Sequence, residues 1–175
     1  MRYDLGCGNK KQEGFIGIDI TKEGTQADIE FDLLTFPWTF AQDESAEEVF
    51  CSHFLEHIPH GDGFHDPFFD FFNEVWRILK PQGLATFITP YYTSMRAFQD
   101  PTHQRFIAEG TYAYLDADWR KENKLEHYPI HTDFKVKTCE YVYHEDSQNI
   151  NIQDQKFGLK HFWNVGADMK VVLQK

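Results

Sequence analysis

The chain is short of several things at once. Its 175 residues include three cysteines, Cys7, Cys51 and Cys139, an odd number without ligand-like spacing. That argues against a disulfide framework or a thiolate zinc knuckle and agrees with a reducing compartment. Basic residues are also scarce: 17 Lys+Arg against 28 Asp+Glu give a net charge of −11, which opposes the counterion release behind most nonspecific nucleic-acid affinity. DNA, bulk RNA and anionic membrane surfaces are therefore disfavoured partners. No apolar run approaches the ~20 residues that span a bilayer. Met1-Arg2-Tyr3-Asp4 enters the first strand with no signal sequence before it, so a cytoplasmic protein without a membrane partner is expected. The length suits one domain that buries roughly two-thirds of its unfolded surface.

What the chain has in excess is aromatic. Phe alone contributes 17 residues, enough that several are expected to line a cleft or an interface as well as the core. The most informative stretch is Asp4-Leu5-Gly6-Cys7-Gly8 followed by Gly14-Phe15-Ile16-Gly17-Ile18-Asp19-Ile20. A strand ending in a glycine turn and a second strand ending in a carboxylate is how an open α/β sheet holds a nucleoside. Glycine lets the backbone approach the ligand, and an acid at the second strand end accepts the ribose hydroxyls.

Tyr3-Asp4-Leu5, Phe15–Ile20, Ala27–Asp32, Ala46–His53 and Leu84–Thr89 read as strands. His65–Lys80 reads as a helix, with Phe68, Phe72, Val75, Trp76 and Leu79 recurring at three and four, and Lys80-Pro81-Gln82-Gly83 carries its stop signal. Alternating strands and helical spacers predict a mostly parallel sheet with helices on both faces. Residues 91–132 show no strand and one helix around Gly110–Lys121, as expected of an insertion over the sheet edge. Phe134–His144 alternates with period two and Met169–Gln174 is β-rich, which predicts an antiparallel edge; Glu145–His161 between them reads as a loop or frayed helix. Three parts follow: 1–90 for a cofactor, 91–132 covering an acceptor, and 133–175 as edge strands. Between Leu5 and Phe15 lie too few residues for a crossover helix, which normally takes a dozen or more. Asp19 stands eleven residues after Gly8, whereas a dinucleotide site places its acid about twenty residues on. A dinucleotide-dependent oxidoreductase is disfavoured on that spacing.

Four blocks in order, DLGCG at 4–8, GFIGIDI at 14–20, FDLL at 31–34, and the tract from CSHFLEHI at 51–58 through EVWRILKPQGLATFITP at 74–90, resemble the class I S-adenosylmethionine-dependent methyltransferases, in particular small methyltransferase-11-like members with a shortened first loop. The resemblance implies a Rossmann-like methyltransferase fold and S-adenosylmethionine as cofactor. It places Asp4 near the methionine ammonium, Gly6, Cys7 and Gly8 against the methionine part, and Asp19 on the ribose, with Ile20 beside it. It further places Asp32 and the Leu33 amide on adenine, and Ser52 and His53 beside the sulfonium. Two departures from the family pattern are Asn9-Lys10-Lys11 where a third glycine is usual and Pro81-Gln82-Gly83 where Pro-Gly-Gly is common. The first predicts looser enclosure of the methionine carboxylate.

Histidine titrates near neutrality and serves as a base, so His57 and His103 are the catalytic candidates. His60 and His65 read as exposed loop residues. Tyr91, Tyr92, His103 and Arg105, after the fifth strand, are the acceptor-binding candidates. His53 and His57 stand at i, i+4 with Glu56 beside His57, the spacing of two metal ligands on a helix. Leu55-Glu56-His57 nevertheless resembles a helix start in which histidine serves packing, and no metal is expected. Cys7 reads as a small residue beside the cofactor and not as a nucleophile. The expected acceptor is a small molecule or sugar-containing metabolite. The alternatives are a non-catalytic cofactor-binding or assembly module of the same fold, or a nucleic-acid methyltransferase using a basic strip of Arg96, Arg105, Arg120, Lys121 and Lys124. Oligomeric state does not follow from the residues.

Overall fold

Strand β1 (Arg2–Leu5) is the hinge of the architecture, pairing in parallel with β2 (Ile16–Asp19) on one side and β4 (Ala46–Ser52) on the other. In the computed structural model, which describes residues 1–62 and 65–175, β3 (Ile29–Glu30) extends the sheet beyond β2 and β5 (Leu79–Pro90) beyond β4, again in parallel. β7 (Gly166–Gln174) then pairs antiparallel with β5, and β6 (Lys135–Tyr143) antiparallel with β7, completing the order β3-β2-β1-β4-β5-β7-β6. The winding direction reverses between β1 and β4. In open α/β sheets ligands bind at such a switch point, outside the carboxyl ends of the strands. The mostly parallel sheet and its antiparallel edge are as the sequence predicts.

Helical cover is uneven. The connections β1–β2, β2–β3 and β3–β4 contain no helix, and α1 (Pro67–Ile78) is the crossover helix between β4 and β5. It begins at Asp66, whose Oδ1 accepts the Phe68 N–H at 2.9 Å, with Pro67 preset for the first turn. Phe71 and Phe72 pack on Phe87 of β5, with ring centroids 6.5 and 5.0 Å apart. Where a helix would follow β3, residues 31–45 form a loop pinned to α1. Glu74 Oε2 accepts the Trp38 N–H at 2.6 Å, and Arg77 donates to the Trp38 and Ala41 carbonyls. Trp38 and Phe40 thereby fill the space against Tyr3 and Phe71. Tyr3, Leu5, Val49, Phe87, Met169 and Val171 are buried on this face, while the alternate residues Phe50, Thr86, Ile88 and Val172 stay half-buried.

The structure corrects several boundaries. The helix ends at Ile78, just before the stop signal at Lys80–Gly83, and β5 starts at Leu79 directly after it, with a register shift against β4 between Ala46 and Glu48. The left-handed residue there is Gln82 (φ +66°), not Gly83. Gln82 is held because its N–H donates to the Lys175 carbonyl. The helix expected at Gly110–Lys121 is two, α3 (Glu109–Ala113) and α4 (Ala117–Glu122), after a short α2 (Arg96–Gln99). The break occurs because Asp116 caps a fresh start, accepting from Trp119 N–H. Glu145–His161 contains α5 (Glu145–Gln148) and α6 (Ile152–His161), the latter capped by Asn151. Residues 63 and 64, between the loop histidines His60 and His65, lie outside the described residues. No helix among the described residues is long and apolar enough to cross a membrane.

Candidate functional site

The turn after β1 is shaped by backbone. Gly6 has φ +67° and Gly8 φ +51°, a region costly for residues with a Cβ. A Cβ on Gly6 would also sit 2.8 Å from Phe54 Cδ2. Both Gly6 and Cys7 donate their N–H to the Ile18 carbonyl, at 2.9 and 3.2 Å, so the turn is fastened to β2 just before Asp19. Asp19 completes the lock, with Oδ2 accepting the Gly8 N–H and Oδ1 the Ile20 N–H, each at 2.8 Å. A carboxylate oxygen has two lone pairs, so each still has one to accept a ligand hydroxyl. Across the next strand end, Asp32 Oδ1 accepts the Leu34 N–H at 2.9 Å. The Asn9-Lys10-Lys11 segment is folded down by Lys11 Nζ on Asp28 Oδ2 at 2.8 Å, and the same oxygen takes the Gly17 N–H.

These groups wall a cavity of about 300 Å³ lined by Gly6, Asp19, Asp32 and Leu33 on one side and His53, Phe54 and His57 on the other. Asp4 is buried beneath the turn. Burial raises its carboxyl above the ordinary range while the Gln12 N–H at 2.7 Å opposes the shift. Burial also pushes the Cys7 thiol up to about 11, with Asp4 and Asp19 adding to the effect. A thiol held protonated is a poor nucleophile. Ser52 ends β4 opposite Ile88, outside the residues lining the cavity. Ile20 lines it but is 65% exposed.

The second wall is made of side chains. His53 adopts φ +55°, rare for a residue with a Cβ, and its Nδ1 lies 3.2 Å from Glu56 Oε1. That hydrogen bond raises the His53 pKa, against the opposing effect of burial. Glu56 is 1% exposed, and its Oε2 is buried with no hydrogen-bond partner. Leu55–His57 forms a single 3₁₀ turn, so the i, i+4 helical pairing of His53 with His57 does not form. His57 instead meets His103, with ring centroids 4.7 Å apart. The 100–105 segment is docked there because the Gln104 and Arg105 N–H groups donate to the Glu56 carbonyl, at 2.8 and 3.1 Å. No sequence signal joined His57 to His103; the contact depends on how the segment after α2 returns to the Leu55–His57 turn.

Three acceptor-binding expectations fall elsewhere. Arg105 is a strut: its guanidinium donates to the Ile58 and Pro59 carbonyls and to Asp66, and lies over the Phe68 ring. It borders a separate cavity of about 530 Å³ that shares no lining residue with the first. Tyr91 is buried and turned away, its hydroxyl donating to Glu109 at 3.0 Å, and Tyr92 packs on it at 38% exposure. Tyr91 points this way because Gly166 of β7 packs closely against its ring.

No family model matches the chain, and no curated protein matches it in sequence. Solved structures do. A SAM dependent methyltransferase from Archaeoglobus fulgidus superposes with TM-score 0.64 at 18% identity, over 99% of this chain and 85% of that one. An S-adenosylmethionine dependent methyltransferase from Mesorhizobium loti gives 0.57 at 15% identity, over 99% and 90%. The SAM-dependent methyltransferase of Methanosarcina mazei gives 0.54 at 16%, over 99% and 91%. The chain has the methyltransferase fold. Within that fold, a nucleoside at the β1–β4 switch point would find the Asp19 carboxylate for its ribose and Asp32 with Leu33 for its base. Gly6 and Gly8 would give its tail close approach. The donor set fits S-adenosylmethionine: carboxylates with spare lone pairs, glycines in left-handed conformations, and no phosphate-binding helix at the first turn.

Proposed function

We propose that this protein is an S-adenosylmethionine-dependent methyltransferase acting on a small-molecule acceptor covered by residues 91–132. The observation that carries the reading is Asp19, fixed at the end of β2 by the Gly8 and Ile20 N–H groups and facing the same cavity as Asp32 and His57. When bound, the cofactor supplies an electrophilic methyl on a sulfonium, and in-line alignment with the acceptor provides much of the acceleration. Asp19 would hold the ribose through charge-assisted hydrogen bonds, about twice as strong as neutral ones. Asp4 supplies negative charge beneath the turn for the ammonium end. His53, His57 and Phe54 form the side from which an acceptor would approach, and His57 is the candidate to take a proton.

A small acceptor is favoured over nucleic acid by what the basic residues do. Of the strip that a nucleic acid would need, Arg96 pairs with Asp168, Arg105 is held by Ile58, Pro59 and Asp66, and Arg120 is buried on the Tyr114 and Thr132 carbonyls. Isothermal titration with S-adenosylmethionine and S-adenosylhomocysteine tests the reading. Wild type should bind both, and Asp19→Ala should lose about 1.5–3 kcal/mol, roughly tenfold to a hundredfold in affinity. Absence of binding, or binding indifferent to Asp19→Ala, would sink it.

A further inference from the structure

We infer that Glu56, His57 and His103 form a binding site for a divalent first-row transition-metal cation beside the cofactor cavity. One ligand atom from each residue lies within 4.8 Å of the others, a spread that modest side-chain rotation closes onto an ion with bonds of about 2.0–2.2 Å. The sequence expectation of no metal rested on the His53–His57 pair. The structure supplies a different third ligand, from 46 residues farther along the chain.

Both imidazoles are prepared for the role by their neighbours. His103 Nδ1 is 3.1 Å from the Ala97 carbonyl, which only accepts, so Nδ1 carries the proton and Nε2 the lone pair. Thr102 Oγ1 gives its hydrogen to Asp100 at 2.7 Å and therefore accepts from His57 Nδ1 at 3.0 Å, again leaving the lone pair on Nε2. Histidines that ligate metals have this kind of outer partner. Glu56 adds an almost fully buried carboxylate with an unpartnered oxygen, a costly arrangement that a cation would relieve. Two imidazoles and a carboxylate suit Zn²⁺, Fe²⁺ or Co²⁺; Mg²⁺ and Ca²⁺ prefer oxygen-only sets. The other acidic cluster, Asp116, Asp118 and Asp133, differs because the Lys135 ammonium already sits on all three at 2.8–2.9 Å. His57 also lines the cavity that holds Asp19, so an ion here would present open positions to an acceptor oxygen, a hydroxyl or a carboxylate. That role rests on the methyl-transfer reading; the binding of the ion does not.

The test titrates Co²⁺ into the untagged full chain without cofactor, followed by its visible absorption and by calorimetry. One Co²⁺ per chain is expected, displaced by Zn²⁺. Glu56→Gln and His103→Ala should each weaken binding by about tenfold to a hundredfold or more, and Thr102→Val, an exposed positioning substitution, by about tenfold with a shifted absorption band. Asp118→Asn should leave the titration unchanged. S-adenosylhomocysteine binding, measured separately on each variant, reports whether the fold is intact and tests the methyl-transfer reading on its own. No stoichiometric Co²⁺ binding, or binding insensitive to Glu56→Gln, His103→Ala and Thr102→Val, would overturn the inference.

Discussion

The two walls of the cavity are built by different means. On the Asp19 side the geometry belongs to the backbone: glycines with positive φ, N–H groups clamping one carboxylate, and strand ends fixed by sheet register. On the histidine side it belongs to side chains from two segments, tied together through the Glu56 carbonyl and the Arg105 guanidinium. A site made from register has little freedom to drift. One made from a docked segment depends on every tie that holds the segment down, so the two walls should fail separately.

The largest effect expected from breaking this division is at Arg105. Arg105→Ala removes charged hydrogen bonds to the Ile58 and Pro59 carbonyls and to Asp66 and should cost about 2–3 kcal/mol of stability, read by urea denaturation. Co²⁺ binding should fall with it, while S-adenosylhomocysteine binding to the remaining folded protein is kept. Gly8→Ala attacks the other wall. The left-handed backbone costs about 1–2 kcal/mol for a residue with a Cβ, and the added Cβ at φ +51° meets no neighbour within 4 Å. Cofactor affinity should drop about tenfold or more, with Co²⁺ binding little changed. Tyr91→Phe is the smallest. It removes a hydrogen bond to Glu109 outside the cavity, so stability should fall by about 0.5–1.5 kcal/mol with both ligand affinities unchanged; a loss of turnover would return Tyr91 to the acceptor site.

The same division explains what could be read from the residues alone. The glycine turn after β1 and Asp19 at the end of β2 were legible because each position follows from strand length and the special backbone a turn requires, both local properties; Asp32, read as the end of a strand from Ala27, lies two residues beyond β3. The absent first helix was legible from chain length alone. His57 with His103 was not, since nothing local specifies which loop returns to which. The i, i+4 spacing of His53 and His57 pointed to a helix that is only one 3₁₀ turn. Lys80–Gly83 was legible as the end of the helix, but not as the irregular start of β5, a role that pairing with β4 decides. Arg105 looked like a ligand group because its bonds run to carbonyls, which carry no sequence signature.

A crystal structure with S-adenosylhomocysteine bound decides whether this cavity is the cofactor site. The nucleoside is expected in the cavity between Gly6 and His57, with both ribose hydroxyls within hydrogen-bond distance of the Asp19 carboxylate and the adenine beside Asp32 and Leu33. A ligand seated elsewhere, for instance in the larger cavity bordered by Phe68, Arg105 and Tyr128, or an Asp19 carboxylate with no contact to the ribose, would contradict it.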